Sequence, residues 1–254
     1  MRENRDLFGA RGLRALTAAL LGDPLLAFDF DGTLAPLVER PDDARVPDSL
    51  ARRLARLGQL RPLAIVTGRA VADVNRRLGF PVAYVVGNHG AEEEGGLAPL
   101  DPALFDPVRQ RLFAARQLLD AAGVRLEDKR YSLALHYRQA PDPVLAQRLI
   151  GDLLGGLPEE FDVIPGRMVC NLVLGGAPDK GDAVIALTQR AHCALAIFVG
   201  DDINDETVFA KAAENWLTIR VGNDYPQSHA RYFLEDYSDI EPLLDRMISG
   251  LERK

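Results

Sequence analysis

The sequence has few cysteines, no long apolar run and no surplus of positive charge, and each shortage removes a class of protein. Two cysteines, Cys170 and Cys193, are too few for a disulfide framework. His192 is the one His or Cys close to either, and neighbouring side chains on a helix point different ways, so no zinc site is expected. Both thiols read as buried apolar packing in a reducing compartment. No segment reaches the ~18 apolar residues that span a bilayer. The stretch Ala15 to Leu26 is interrupted by Gly22-Asp23-Pro24, and no small-residue cleavage site follows a hydrophobic core. Neither a membrane span nor a secretory leader is expected, and the cytoplasm is the expected location. Basic residues number 30 against 37 acidic ones, a formal net charge of -7, which argues against nucleic acid as a partner. Small anions stay open, because one focused pocket can be positive on an acidic protein. There is no GxxxxGK[ST] element, so an NTP-binding P-loop is not the route to phosphate. Internal repeats and low-complexity tracts are also missing.

What is present is an alternation of buried strands and amphipathic helices in a chain long enough for one large domain or two small ones. Residues 12 to 21 read as a short helix stopped by Gly22-Asp23-Pro24. Leu25 to Phe30 is a continuous apolar run, as suits a strand buried on both faces of a parallel sheet. Asp48 to Leu60 carries Leu50, Leu54 and Leu57 at helical spacing, with Asp48 or Ser49 as its cap. Leu63 to Val66 and Val82 to Val86 are further strands, with a helix to about Leu78 between them. The middle differs. A helix over Asp106 to Ala122, strand-like stretches from Val124 to Arg138, a helix over Pro143 to Leu154 and two strands within Phe161 to Leu174 form an α+β pattern with an antiparallel sheet. From Lys180 the earlier rhythm resumes. Helices fall at Ala183 to Gln189, Glu206 to Ala213 and Ile240 to Ser249, with strands at Leu195 to Val199 and Trp216 to Val221. The expected fold class is α/β: a Rossmann-like core with a parallel sheet, residues 1-98 and 176-254, and an inserted α/β domain over 99-175.

Charged and hydroxylated residues gather at the strand ends, where α/β sheets place ligands. Asp29 and Asp31 follow the first strand, and Thr67, Gly68 and Arg69 the second. Asp201, Asp202 and Asp205 follow Phe198-Val-Gly200, while Lys180-Gly181 opens the helix before it. Carboxylates converging in such number repel one another unless a hard divalent cation joins them, and oxygen ligands favour Mg²⁺. Lys180, the Thr67 hydroxyl and the free amides of Gly32 and Thr33 supply donors for phosphate oxygens. The combination is a phosphoryl-transfer site.

Asp29-Phe-Asp-Gly-Thr33 resembles the first motif, DxDGT, of the haloacid dehalogenase-like (HAD) superfamily. Thr67 resembles its second, Lys180 its third and Gly200-Asp-Asp-Ile-Asn-Asp205 its fourth, all in the family's order. The resemblance implies that Asp29 is the nucleophile and forms an aspartyl phosphate. Asp31 is implied as the acid and base that protonates the leaving alcohol and then activates water. Mg²⁺ is implied at Asp29, the Asp31 backbone carbonyl and Asp201, with Asp205 in support. Thr67 and Lys180 would hold phosphoryl oxygens, with Asp202 orienting its neighbours.

The inserted domain resembles the larger (C2-type) lid of that superfamily, and within it the chain is similar to trehalose-6-phosphate phosphatases over nearly its whole length. Gly87-Asn-His-Gly-Ala-Glu92, Glu127-Asp-Lys129, Ser132-Leu-Ala-Leu-His-Tyr-Arg138 and Gly200 to Glu206 carry that likeness. It implies Mg²⁺-dependent hydrolysis of trehalose 6-phosphate, with another sugar phosphate as the alternative. It also implies Glu127 and Lys129 as lid residues that read sugar hydroxyls, with Asn88, His89 and Gly90 on the core side of the cleft. Arg138 reads equally as a substrate contact or a surface charge, and His136 and His89 read as structural. Two residues depart from the family pattern. Asn171, closing Arg167-Met-Val-Cys-Asn171, stands where the family shows a glutamate, and Asn204 replaces a threonine. The first leaves the sugar open. The sequence leaves oligomeric state open, a monomer included.

Overall fold

The computed structural model of the chain describes residues 5–38, 40–93, 101–166 and 168–253. In chain order the first elements are α1 (Ala10–Leu21), β1 (Pro24–Phe28), α2 (Asp48–Leu60), β2 (Leu63–Val66), α3 (Val71–Leu78), β3 (Tyr84–Gly87) and β4 (Glu92–Glu93). There follow α4 (Asp106–Ala114), α5 (Arg116–Ala121), β5 (Arg125–Asp128), β6 (Leu133–His136), α6 (Pro143–Leu154), β7 (Phe161–Gly166) and β8 (Val169–Leu174). The last are α7 (Lys180–Arg190), β9 (Leu195–Gly200), α8 (Glu206–Lys211), β10 (Leu217–Val221), β11 (Tyr232–Leu234) and α9 (Ile240–Glu252). The chain forms two compact units, Met1–Gly95 with Pro178–Lys254, and Gly96–Ala177. The junction expected at residues 98 and 99 lies outside the described residues.

The first unit is built on a seven-stranded sheet in the order β11-β10-β9-β1-β2-β3-β4, parallel throughout except for β4 against β3. Every residue of β1 and β9 is buried, which is why both are unbroken apolar runs rather than alternating ones. The chain leaves β1 towards β2 on one side, and β9 lies on the other side, leading to β10. That makes β1 the topological switch point, where strand ends part and leave room for a ligand. Register brings the ends level, with Phe28 opposite both Ile65 and Val199. Helix α2 buries Leu50, Leu54 and Leu57, and it packs on α9, which buries Leu243, Leu244 and Met247. Each such leucine contributes about 2 kcal/mol on leaving water.

The second unit holds a four-stranded antiparallel sheet in the order β5-β6-β8-β7. Leu133, Leu135 and Leu172 face a core with Phe105, Leu112 and Ile150, closed by an edge-on Phe105–Phe161 contact at 5.3 Å. Strand alternation sends the intervening residues to the opposite face.

Some elements differ from the sequence expectation. Helix α2 has Pro47 before it and no side-chain cap; Asp48 is its first residue, and the Ser49 hydroxyl donates to Glu241 at 3.3 Å instead. The single helix expected from Asp106 to Ala122 is two, because Ala115 has ψ 5°, far from the helical value. Strands β4 and β11 were not expected, since two or three residues carry no readable period. Cys170 and Cys193 are free and half-buried rather than fully buried. Among the described residues no helix is long and apolar enough to cross a membrane.

Candidate active site

Asp29 is the first residue past β1, and its N–H donates to the Val199 carbonyl at 2.9 Å, which continues the ladder to β9. Its carboxylate is thereby fixed at the switch point and nearly buried. Lys180 opens α7, whose start is set by a reciprocal capping box between Asp179 and Asp182. The Lys180 ammonium, only 3% exposed, donates to Asp29 Oδ1 at 2.7 Å and to Asp205 Oδ1 at 2.8 Å. Asp205 is fully buried, and its Oδ2 accepts the Asp202 N–H at 3.0 Å. Asp29, Asp201 and Asp205 each present one carboxylate oxygen, and these oxygens lie within 4.8 Å of one another.

Three carboxylates and one ammonium leave two negative charges in a dry site when all are ionised. Burial pushes Asp29 up to about 7 despite the opposing pull of Lys180, with Asp205 and Asp31 adding to the rise. Burial and the neighbouring carboxylates likewise hold Asp201 well above the ordinary range. Burial works against the Lys180 charge, but Asp205 and Asp29 outweigh it and keep the ammonium protonated. An all-oxygen donor set with a deficit of two charges fits a hard divalent cation, and Mg²⁺ suits it; Asp29, Asp201 and Asp205 would hold it. Gly32 is required beside them: φ is +83°, and an added Cβ would lie 2.1 Å from Asp201 Oδ2.

Asp31 stands apart from this trio. Both its oxygens accept from Arg69, Oδ2 from Nε and Oδ1 from Nη2, each at 2.7 Å. Arg69 Nη1 donates to Asp73 Oδ2 at 2.8 Å, and Nη2 also reaches the Pro41 carbonyl at 2.9 Å. Arg77 completes the network, bonding Asp73 through Nε and Nη2 and the Asp42 carbonyl through Nη1 at 2.6 Å. Burial raises Asp73, but Arg77 and Arg69 overcome it and hold it down at about 2. The sequence reading gave Arg69 to the substrate; in the structure its fork grips Asp31 and Asp73, since both carboxylates face its planar donors. Asp73 and Arg77 were not singled out, although the spacing of 69, 73 and 77 is the i, i+4 pattern that pairs charges along a helix.

The Gly32 amide expected to be free donates to the Ala35 carbonyl at 2.8 Å, closing the turn that follows β1. The Thr33 hydroxyl donates to Asp201 Oδ1 at 3.3 Å. The Thr67 hydroxyl accepts the Arg69 N–H at 3.2 Å, and Thr67 is buried at the end of β2. Gly68 carries the His89 imidazole against it, with His89 Cε1 2.4 Å from where a Cβ would sit. Asn88 and His89 both adopt left-handed backbone, φ 48° and 61°, a conformation that costs a non-glycine residue about 1 kcal/mol or more. The Asn88 amide donates to Glu92 at 2.7 Å. Behind the last motif Arg220, which sequence reasoning missed, bonds the Asp202 carbonyl and Glu206 at 3.3 Å each.

The remaining candidates belong to the second unit. Glu127, Ala134, Asn171 and Ile164 stand in one row across the four strands, on the face away from the leucine core. Glu127 Oε2 meets His136 Nε2 at 2.7 Å. Burial raises Glu127, but His136, Lys129 and Arg125 prevail and bring it down to about 2. The Asn171 amide is buried and reaches the Ile164 carbonyl only at 3.5 Å. The Lys129 N–H donates to the Ser132 carbonyl at 3.0 Å in the turn after β5, and Arg138 is exposed beyond β6. Arg167 lies outside the described residues.

The fold is shared with solved structures. A phosphatase of the haloalkanoate (HAD) enzyme superfamily from Bacteroides thetaiotaomicron matches with TM-score 0.60 and 16% identity, over 90% of this chain and 95% of that one. The C-terminal domain of trehalose-6-phosphate phosphatase from C. albicans matches with TM-score 0.80 and 20% identity, over 93% and 96%. The fold is therefore that of the HAD superfamily, an α/β core. The family model described as trehalose-phosphatase matches residues 27–238, and the chain belongs to that family. A trehalose-phosphate phosphatase of Mycobacterium bovis is 34% identical over 93% of this chain and 66% of its own length. A Mycobacterium tuberculosis protein described as an uncharacterized glycosyl hydrolase is 34% identical over 73% of this chain and 15% of its own. The chain thus spans less than two thirds of the length of these curated relatives.

Proposed function

We propose that this chain is a Mg²⁺-dependent phosphatase that hydrolyses trehalose 6-phosphate to trehalose and phosphate through an aspartyl phosphate on Asp29. The observation that carries the reading is the Lys180 ammonium bridging Asp29 and Asp205 inside a trio of carboxylates, with Asp31 two residues beyond Asp29. An Asp29 oxygen attacks phosphorus, the bond from phosphorus to the sugar oxygen breaks, and Asp31 protonates that oxygen. Water then attacks the aspartyl phosphate, Asp31 takes its proton, and phosphate leaves with Asp29 restored. The bidentate pair with Arg69, in which both Asp31 oxygens accept, orients this carboxyl group for both halves. Mg²⁺ bound by Asp29 and Asp201, with Asp205 close by, would neutralise the phosphoryl oxygens and the nucleophile together. Lys180 and the Thr67 hydroxyl hold the remaining phosphoryl oxygens.

The inserted unit serves as the lid that reads the sugar through Glu127, Lys129, Asn171 and Arg138, and Asn88 and His89 are the sugar contacts of the first unit. Family membership supports trehalose 6-phosphate as the substrate. One observation favours a second reading, hydrolysis of another sugar phosphate. Asn171 stands in register beside Ala134 and Glu127, and it offers an amide where the family offers a carboxylate. The free thiols of Cys170 and Cys193 support the cytoplasm as the site of action. Phosphate release across a panel of sugar phosphates tests the substrate. Trehalose 6-phosphate should be turned over fastest, and an equal rate on a monosaccharide phosphate would shift the assignment to the second reading. Asp29→Asn should abolish turnover, and steady turnover in that variant would refute the mechanism.

A further inference from the structure

The first unit has a concavity far along the sheet from Asp29. It is a cavity of about 710 Å³ at the starts of β9, β10 and β11, lined by Leu195, Leu217 and Tyr232. The acid cluster sits past the other end of β9, and five residue steps of strand separate the two ends by about 17 Å. One wall is the Ala15, Ala18 and Ala19 face of α1, and three arginines, Arg5, Arg11 and Arg231, line the same space.

These arginines differ from most others in the molecule. Arg53, Arg56, Arg69, Arg77, Arg109 and Arg220 each pair with a carboxylate. Among the described residues the side-chain partners of Arg5 and Arg231 are backbone carbonyls, and no carboxylate residue lines the cavity. Two of the three are nevertheless held in place. Arg5 Nη2 donates to the Ser228 carbonyl at 2.9 Å and to that of Ala230, and Arg231 donates to the carbonyls of Ala213, at 3.0 Å, and Glu214. Backbone anchors fix those forks without neutralising them, and each keeps N–H groups for another acceptor.

The start of α1 adds a second mismatch. Its N-terminal flank, Gly9, gives no side-chain cap, its first turn has no acidic residue, and Arg11 stands there instead. A cation at the positive end of a helix is unfavourable, and a bound anion would reverse the sign of that interaction. Three arginines that pair with no carboxylate among the described residues share one concavity on a protein whose net charge is -7. A phosphate dianion matches their planar forks. The alanine face and the two leucines offer apolar surface next to that charge, in a volume suited to a small metabolite.

We propose that this cavity is a second ligand site, taking an organic phosphate whose phosphate lies among Arg5, Arg11 and Arg231 and whose apolar part lies along Ala15, Ala18 and Leu195. The site is independent of the reading given to the Asp29 cluster. Its reporter is built in, because Trp216 lines the cavity and is the single tryptophan of the sequence.

Phenylphosphonate, which the Asp29 cluster cannot hydrolyse, is the probe, titrated against the full chain at slightly alkaline pH. Trp216 emission should change saturably, and Arg11→Glu or Arg231→Glu should weaken the response at least about tenfold, as loss of a charge-assisted pair requires. Benzyl alcohol, of similar size but neutral, should give no response. Equilibrium dialysis of the probe gives a readout that does not depend on fluorescence. The double variant should bind one equivalent less than the wild type while its far-ultraviolet circular dichroism is unchanged. The same number of equivalents bound by both proteins, or an undiminished Trp216 response in both single variants, overturns the proposal.

Discussion

Removing the divalent cation should make the stability of this protein fall as pH rises. Asp29 is buried, and its carboxyl stands at about 7 instead of 3.8. The folded chain therefore keeps a proton that the unfolded chain gives up between about pH 4 and about pH 7, so unfolding releases protons across that window and stability drops as pH increases. A shift of about three units at about 1.4 kcal/mol per unit gives a loss of about 4 kcal/mol from Asp29 alone. Asp201 is displaced in the same direction and steepens the fall. The groups displaced the other way do not mask it. Asp73, at about 2, contributes stability that is complete above its ordinary value and is lost as pH falls through about 2, and Glu127 behaves alike. Saturating Mg²⁺ binds the ionised carboxylates, so it should stabilise the protein more at the alkaline end than at the acid end. Urea titrations with EDTA and with Mg²⁺, from about pH 4.5 to about pH 8, measure both slopes. A metal-free stability that stays flat or rises over this range would refute the charge accounting of the site. So would a gain from Mg²⁺ that is the same at every pH.

Arg69→Ala removes the fork that fixes both Asp31 oxygens. Steady-state kinetics on an aryl phosphate should show kcat lower by about 10²-fold with KM changed little, because orientation of the acid and base is lost rather than ground-state binding. A rise in KM at constant kcat would instead make Arg69 a substrate ligand. Gly32→Ala drives a Cβ into Asp201 at a left-handed backbone position. Its activity should need at least about tenfold more Mg²⁺ for half-saturation, read from a metal titration. Glu127→Ala should lower kcat/KM for the sugar phosphate by about 1–3 kcal/mol in transition-state terms while sparing a small aryl phosphate. Equal losses on both substrates would place its effect in the fold.

Most of the candidate site was legible in the linear sequence because strand ends are local events. A buried apolar run that stops in Asp29-Phe-Asp-Gly-Thr33 sets carboxylates at a strand end whatever the rest of the chain does. Lys180 could be read as a helix start for the same reason, and the capping box at Asp179 and Asp182 explains why the helix begins there. The same locality placed Gly32 beside Asp29 and made its glycine identity intelligible once φ was known.

The tertiary structure decided what those groups meet. Residues 31 and 69 lie in the segments after β1 and β2, and 73 and 77 on α3, and only packing shows that Arg69 closes on Asp31 rather than standing free. Register across three antiparallel strands put Asn171 in the row of Glu127, a relation spread over 44 residues of chain that periodicity does not encode. Arg5, Arg11 and Arg231 are three unremarkable cations in the sequence, and only the folded sheet gathers them round Trp216. The physical reason is common to all three cases. Local propensity and burial pattern fix where an element ends, whereas the partner of a charged side chain is chosen by which elements the core brings together.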